Sequence, residues 1–174
     1  MATYKIDTAH SEVTFKIKHL MISTVSGNFT KFDGEINASN ADLSDAVFSF
    51  EADIDSISTN NEQRDGHLKS PDFFDAANHP KLSFKSTGFT KKGKDFELVG
   101  DFTLRGNTKQ ITFTAEYSGS AIDPYGNEKH GFEISGKISR KEFGLEFHAV
   151  TEAGNVVVSD EVKILVNAQF AKVN

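Results

Sequence analysis

Alternation at a period of two residues runs through most of this 174-residue chain and constrains its fold more than any other feature. Val13, Phe15 and Ile17 alternate with Glu12, Thr14, Lys16 and Lys18, and His19 falls on the apolar side in step with Phe15 and Ile17. A second strand is expected over about 24–38, with Gly27 and Gly34 as bends or bulges. Ala46, Phe48, Phe50, Ala52 and Ile54 form a third apolar row, and Leu82, Phe84 and Ser86 a fourth. The pattern returns at Phe96–Leu104, again through Ile111, Phe113, Ala115 and Tyr117, and again through Phe132, Ile134, Gly136 and Ile138. It closes with Val162, Ile164, Val166, Ala168 and Phe170. Turn chemistry separates these rows at Lys91-Lys92-Gly93-Lys94, Arg105-Gly106-Asn107-Thr108 and Asp123-Pro124-Tyr125-Gly126-Asn127. About eight long strands, each with one polar face, leave unpaired edges as a flat sheet, and closure into a barrel removes them. The expected fold is therefore all-β, an extended antiparallel eight-stranded barrel, with residues 1–174 forming a single domain.

One stretch departs from the alternation. Thr59-x-x-Glu62 reads as a capping box, and residues 60–69 contain no β-branched side chain. A short helical insert over about 60–75 is expected, on which Arg64, His67 and Leu68 share a face and Asp65 pairs with Lys69. Ser70-Pro71 ends the helix and opens a second turn with Ser70 as its N-cap, carrying Phe73 and Phe74 side by side.

Composition narrows the function. A formal charge of −6 repels a phosphate backbone, so nucleic acid is not an expected partner. The absence of cysteine excludes disulfides, thiolate zinc sites and a cysteine nucleophile. No window approaches the roughly 18 apolar residues of a membrane helix, so no stable membrane insertion is expected. The opening residues carry no apolar leader, so the cytoplasm is the expected compartment, or the periplasm if a leader has been removed. Sixteen Phe with three Tyr and no Trp supply rings either for core packing or for the wall of a cavity. A barrel of eight strands is about wide enough to pack side chains or to hold one small ligand.

The residues also resemble a known family. Ile6-Asp7-x-x-His10-Ser11, Phe15-x-x-x-His19 and Gly27-x-Phe29 are followed by Arg64-Asp65-x-His67-Leu68-x-Ser70-x-Asp72-Phe73-Phe74-Asp75. His79-Pro80-x-Leu82-x-Phe84-x-Ser86, Phe102-Thr103-Leu104-Arg105-Gly106 before Thr108-Lys109, and Ser139-Arg140-x-x-Phe143-Gly144 complete the series. In order and spacing these are similar to the YceI-like proteins, lipocalin-like polyisoprenoid-binding proteins. The resemblance implies a lipocalin-like barrel with a helix beside its mouth, a long-chain isoprenoid or related lipid inside, and a homodimer.

On this reading the chain binds an isoprenoid lipid or quinone as a carrier, store or sequestering protein. The expected ligand-binding residues are Phe15, Ile17, His19, Phe48, Phe50, Phe73, Phe74, Phe84, Phe102, Phe113, Phe132 and Ile134. Part of that set is expected to be plain core. Arg64, Asp65, His67, Asp72 and Arg140 form a polar cluster that either meets a head group or pairs internally to fix the helix on the barrel. Two alternatives compete: a hydrolase or metal-dependent enzyme using residues 64–75, and a filled barrel acting as an interaction module. Asp65, His67 and Ser70 invite a triad, but Ser70 is explained as a cap and lacks a nucleophile elbow. His67, Asp72 and His79 lack recognised metal-ligand spacing. No catalytic residue, metal or cofactor is therefore expected.

Overall fold

The alternating rows become strands that pair antiparallel in one sheet. A computed structural model describes residues 1–20, 22–145 and 158–173. Its strands are β1 (Ala2–Ile6), β2 (Glu12–His19), β3 (Ser23–Phe29), β4 (Phe32–Ala38), β5 (Val47–Asp53), β6 (Ile57–Ser58), β7 (Lys81–Lys92), β8 (Asp95–Leu104), β9 (Asn107–Ile122), β10 (Glu128–Ser139) and β11 (Val158–Lys172). One α-helix, α1 (Glu62–Lys69), interrupts the series between β6 and β7.

These segments merge into eight staves. β1 and β2 both pair with β11, through Ile6↔Phe170 and Val13↔Val166, and only a turn of 3₁₀ helix at Thr8–His10 separates them. β3 and β4 form the second stave, pairing with β2 and β1. β5 and β6 form the third, pairing with β4 and β3. From β7 to β11 every strand pairs antiparallel with the next, and β11 returns to β1, so the sheet closes on itself. Closure leaves no long edge unpaired.

The second stave differs from the expected unbroken strand over 24–38. Its break lies at residues 30–31, where Thr30 N–H bonds Ser56 O and Lys31 O accepts from Asp53. Gly27 and Gly34 lie within β3 and β4, where they make room for rings rather than bends. Register shifts mark the sheet at Ser86/Gly88, Gly131/Phe132 and Val158/Val162, the sites at which a closed sheet takes up its curvature. The hairpin at Arg105-Gly106 uses two left-handed residues, φ 50° and 73°, between the paired Leu104 and Asn107. That two-residue geometry matches the twist of the flanking strands.

Inward rows from the eight staves build one core. At the end where β1 begins and β11 finishes, Phe48 meets Phe132 at 5.4 Å and Phe89 at 5.0 Å, and Phe89 stacks on Phe96 at 4.3 Å. Tyr117 packs on Phe132 at 5.1 Å. His130, only 5% exposed, sits among these rings with Tyr117 Oη at 2.7 Å from Nδ1 and Glu128 Oε2 at 3.0 Å from Nε2. The barrel is closed at this end.

Candidate functional site

At the other end β2 finishes at His19, β3 starts at Ser23, β10 finishes at Ser139 and β11 starts at Val158. β7 begins too late to continue the stave beyond Asp53, its first pairing being Lys81↔Asp53, and the residues between β6 and β7 carry α1 to this mouth.

The helix is seated differently from its expected capping box. Asn61 is the N-cap, its side-chain oxygen accepting from Arg64 N–H at 3.0 Å. Thr59, 5% exposed, works as a clamp instead. Its hydroxyl donates to Asp65 Oδ1 at 2.5 Å and accepts from Arg64 Nε at 2.8 Å, while Arg64 Nη2 donates to Thr59 O at 2.7 Å. The Asp65 carboxylate therefore turns toward Thr59, whose backbone N–H it also accepts, rather than toward Lys69. Ser70 is the C-cap: its hydroxyl donates to His67 O at 2.6 Å and accepts from Asp72 N–H at 3.3 Å, so it opens the next turn as expected. His67 Nε2 lies 2.9 Å from Asp72 Oδ2. Asp65, His67 and Ser70 thus engage different partners. His79 lies against Gly106, and among the described residues no three of His, Cys, Asp and Glu gather to hold a metal ion.

Arg140 stands apart from the helix cluster it was grouped with. It is 2% exposed, and its guanidinium donates to Ser159 O at 2.8 Å, Leu145 O at 2.6 Å and Val158 O at 3.2 Å. Burial lowers its pKa from the ordinary value, and nearby Asp160 opposes that. A buried charge that satisfies three carbonyls fixes the start of β11 against the 3₁₀ turn Arg140–Phe143.

Behind this mouth lies a cavity of about 650 Å³. Phe15, Ile17, His19, Phe48, Phe50, Phe73, Phe74, Phe84, Phe102, Phe113 and Ile134 all line it. Phe132 is placed otherwise, in the closed end among Phe48, Phe89, Tyr117 and Phe170, one inward position nearer that end of β10 than Ile134. His19 is exposed at the rim rather than held on a dry face. Arg64, His67 and Leu68 share the face of α1 that borders the cavity. The aliphatic wall, including Val25, Leu82, Leu98, Val162, Ile164 and Val166, escaped the sequence reading, which assigned the wall chiefly to rings although these residues keep the same inward parity.

Among the described residues, the ionisable side chains lining the cavity are Lys18, His19, Arg64, His67 and Arg140, all basic and all at the mouth. Deeper in, the wall is apolar apart from Thr14 and Ser49. β11 borders the cavity from Val158 to Phe170. At about 3.3 Å per residue and a strand tilt of about 40°, that corresponds to a depth of about 30 Å.

The YceI-like domain family matches residues 4–170 of this chain. The chain belongs to the YceI-like family. A UPF0312 protein of Staphylococcus epidermidis is 37% identical over 172 residues, covering 98% of each chain. Among solved structures, Burkholderia cenocepacia BcnA superposes on the YceI-like barrel with a TM-score of 0.80 at 21% identity, covering 94% of this chain and 98% of its own. A domain of Saccharophagus degradans, described as polyisoprenoid binding, superposes with a TM-score of 0.68 at 14% identity over 97% of both chains. Both likenesses place the fold among barrels of this kind. No described helix of the YceI-like chain is long and apolar enough to cross a membrane.

Proposed function

We propose that this protein binds a long-chain isoprenoid lipid or isoprenoid quinone, tail in the lumen and polar head at the helix end, as a carrier, store or sequestering protein. The observation that carries this reading is a deep, apolar cavity of about 650 Å³ whose ionisable lining residues, among those described, are confined to one mouth. The volume falls within the roughly 300–1,000 Å³ of small-molecule sites, and the separation of an apolar wall from a few polar groups divides affinity from orientation. The polyisoprenoid-binding description of the Saccharophagus degradans domain supports the same class of guest.

Burial of each methylene contributes about 0.8 kcal/mol, so a tail of several isoprene units gains well over ~10 kcal/mol gross. Ordering of the guest offsets much of that gain, leaving affinities between roughly micromolar and nanomolar. At the mouth, Arg64 and His67 on α1 and Lys18 and His19 on β2 offer donors to a carbonyl, hydroxyl or anionic head.

Native mass spectrometry of the purified protein, followed by organic extraction, tests the proposal. The expected result is a mass increment that resolves to a prenyl lipid or quinone. A clean protein mass that stays unchanged after incubation with such lipids would overturn it and favour a barrel that serves only as an interaction module.

A further inference from the structure

Four of the phenylalanines that line the lumen lie over a glycine of the neighbouring strand. Phe15 covers Gly27 and Phe50 covers Gly34, each pair directly opposite in the ladder. Phe84 covers Gly100, and Phe113 covers Gly136. A Cβ at Gly27 would fall 2.3 Å from Phe15 Cζ, and one at Gly136 would fall 2.4 Å from Phe113 Cδ1. At Gly100 it would meet Lys85 O at 2.4 Å and Phe84 Cζ at 2.6 Å, and at Gly34 it would meet Phe50 Cδ2 at 3.3 Å. None of the four adopts a left-handed backbone, so no turn requires glycine at these positions. Glycine within a strand costs about 0.5–1 kcal/mol relative to alanine, and here the return is close approach of a ring to the wall.

The closed end supplies the contrast. There Phe48 stands opposite Ile36, Phe96 opposite Ala115 and Phe132 opposite Ala168; Phe48 meets Phe132 across the barrel and Phe96 stacks on Phe89 of the neighbouring strand. The four rings that lie over a glycine lie along the wall of the cavity.

We infer that Gly27, Gly34, Gly100 and Gly136 set the bore of the lumen, and that this bore selects a single flexible hydrocarbon chain while excluding fused-ring lipids. The inference rests on the lipid-binding reading above and adds a width limit to it. A methyl group on any of these glycines meets the facing ring and lifts it toward the passage.

The test uses geranylgeraniol as chain probe and cholesterol as fused-ring probe, with bound fraction read by native mass spectrometry and secondary structure by circular dichroism. Gly136→Ala and Gly27→Ala are the informative variants, because the nearest atom each new methyl meets belongs to a ring rather than to the backbone. The intact protein is expected to take the prenyl alcohol and refuse cholesterol. Gly136→Ala is expected to weaken the prenyl alcohol about tenfold, the equivalent of about two lost methylene contacts. Adding Phe113→Ala to it is expected to restore binding, and Phe113→Ala alone to admit cholesterol. A folded Gly136→Ala protein with unchanged affinity would overturn the inference, as would equal uptake of both probes by the intact protein. Should Gly136→Ala fail to fold, Phe113→Ala decides: continued refusal of cholesterol overturns the inference and uptake supports it. Failure of the intact protein to take either probe removes the lipid-binding reading and the bore inference with it.

Discussion

The two ends of the barrel use the same residue types to opposite effect. At the closed end, Phe48, Phe89, Phe96, Phe132 and Tyr117 pack ring against ring, and His130 finds a partner for each ring nitrogen in Tyr117 and Glu128. Toward the mouth, Phe15, Phe84 and Phe113 lie over glycines and border the cavity, Phe84 and Phe113 also meeting edge to face at 5.4 Å. Burial alone does not separate the two groups, for Phe113 and Phe132 are similarly shielded from bulk solvent. What separates them is what stands across the strand, and whether the inner side of the ring meets another side chain or space.

The largest expected effect follows from that difference. Phe132→Ala removes a ring that touches Phe48, Phe89, Tyr117 and Phe170, and should cost about 3–5 kcal/mol as a deleted core aromatic. Phe15→Ala removes a half-buried ring that already borders a cavity, and should cost about 1–2 kcal/mol because fewer packed contacts are lost. Urea unfolding of both variants measures the comparison directly. Equal costs would mean that the mouth half is as tightly packed as the closed end, and the contrast between them would collapse.

How much of this was legible in the sequence follows from the same contrast. Period-two alternation places Phe15, Phe84, Phe113 and Phe132 on inward faces, and the number of alternating rows gives the eight staves. Alternation is local, whereas the fate of a ring depends on the residue one strand away. That Phe15 faces Gly27 and Phe132 faces Ala168 is a matter of register between strands distant in sequence or joined by a turn, which alternation within one strand does not set. Parity alone treated these rings alike, and so Phe132 was counted with the wall. The clamp at Thr59 was missed for a related reason. Thr59-x-x-Glu62 satisfies a local rule for helix starts, but burial of Thr59 turned its hydroxyl to Asp65 and Arg64 and left the cap to Asn61. Likewise β1 is too short to declare itself, although Tyr4 and Ile6 carry the inward parity that closes the barrel on β11.

An intermediate effect belongs to the polar fastening of the closed end. Asp7 accepts from Lys129 Nζ at 2.7 Å, lies 2.8 Å from His10 Nδ1, and accepts from Ala9 N–H. Hydrogen bonding to Lys129 and then to His10 lowers its pKa from 3.8 to about 2, against the opposing influence of burial. A carboxyl whose pKa is depressed by folding stabilises the native state above its unfolded value and loses that contribution as pH falls through the folded one. Asp7→Asn should therefore cost about 1–2 kcal/mol at neutral pH, the shift being partly discounted for the side chain's remaining exposure. The gap between variant and parent should narrow as pH falls from about 4 toward 2. Unfolding midpoints across that window check the sign, and a gap that widens on acidification would show that the carboxylate is not held by these partners.

The smallest effect is expected at the mouth, and it should be local. Thr59 is buried, and its hydroxyl both donates to Asp65 and accepts from Arg64, so Thr59→Val keeps the volume and removes two hydrogen bonds at once. The backbone N–H of Thr59 still reaches Asp65, and its carbonyl still accepts from Arg64, so the segment remains tethered. A loss of about 1 kcal/mol is expected for each buried hydrogen bond removed, reduced here because water at the mouth can replace part of it. α1 has no buried residue of its own and is attached chiefly through Thr59 and the turn that carries Phe73 and Phe74. Amides of residues 62–76 should therefore exchange hydrogen faster in Thr59→Val while those of β8 to β10 remain unchanged, as a locally opening unit requires. Faster exchange throughout the barrel would instead mean that the helix and the staves open together, and that the mouth is as integral to the fold as the closed end.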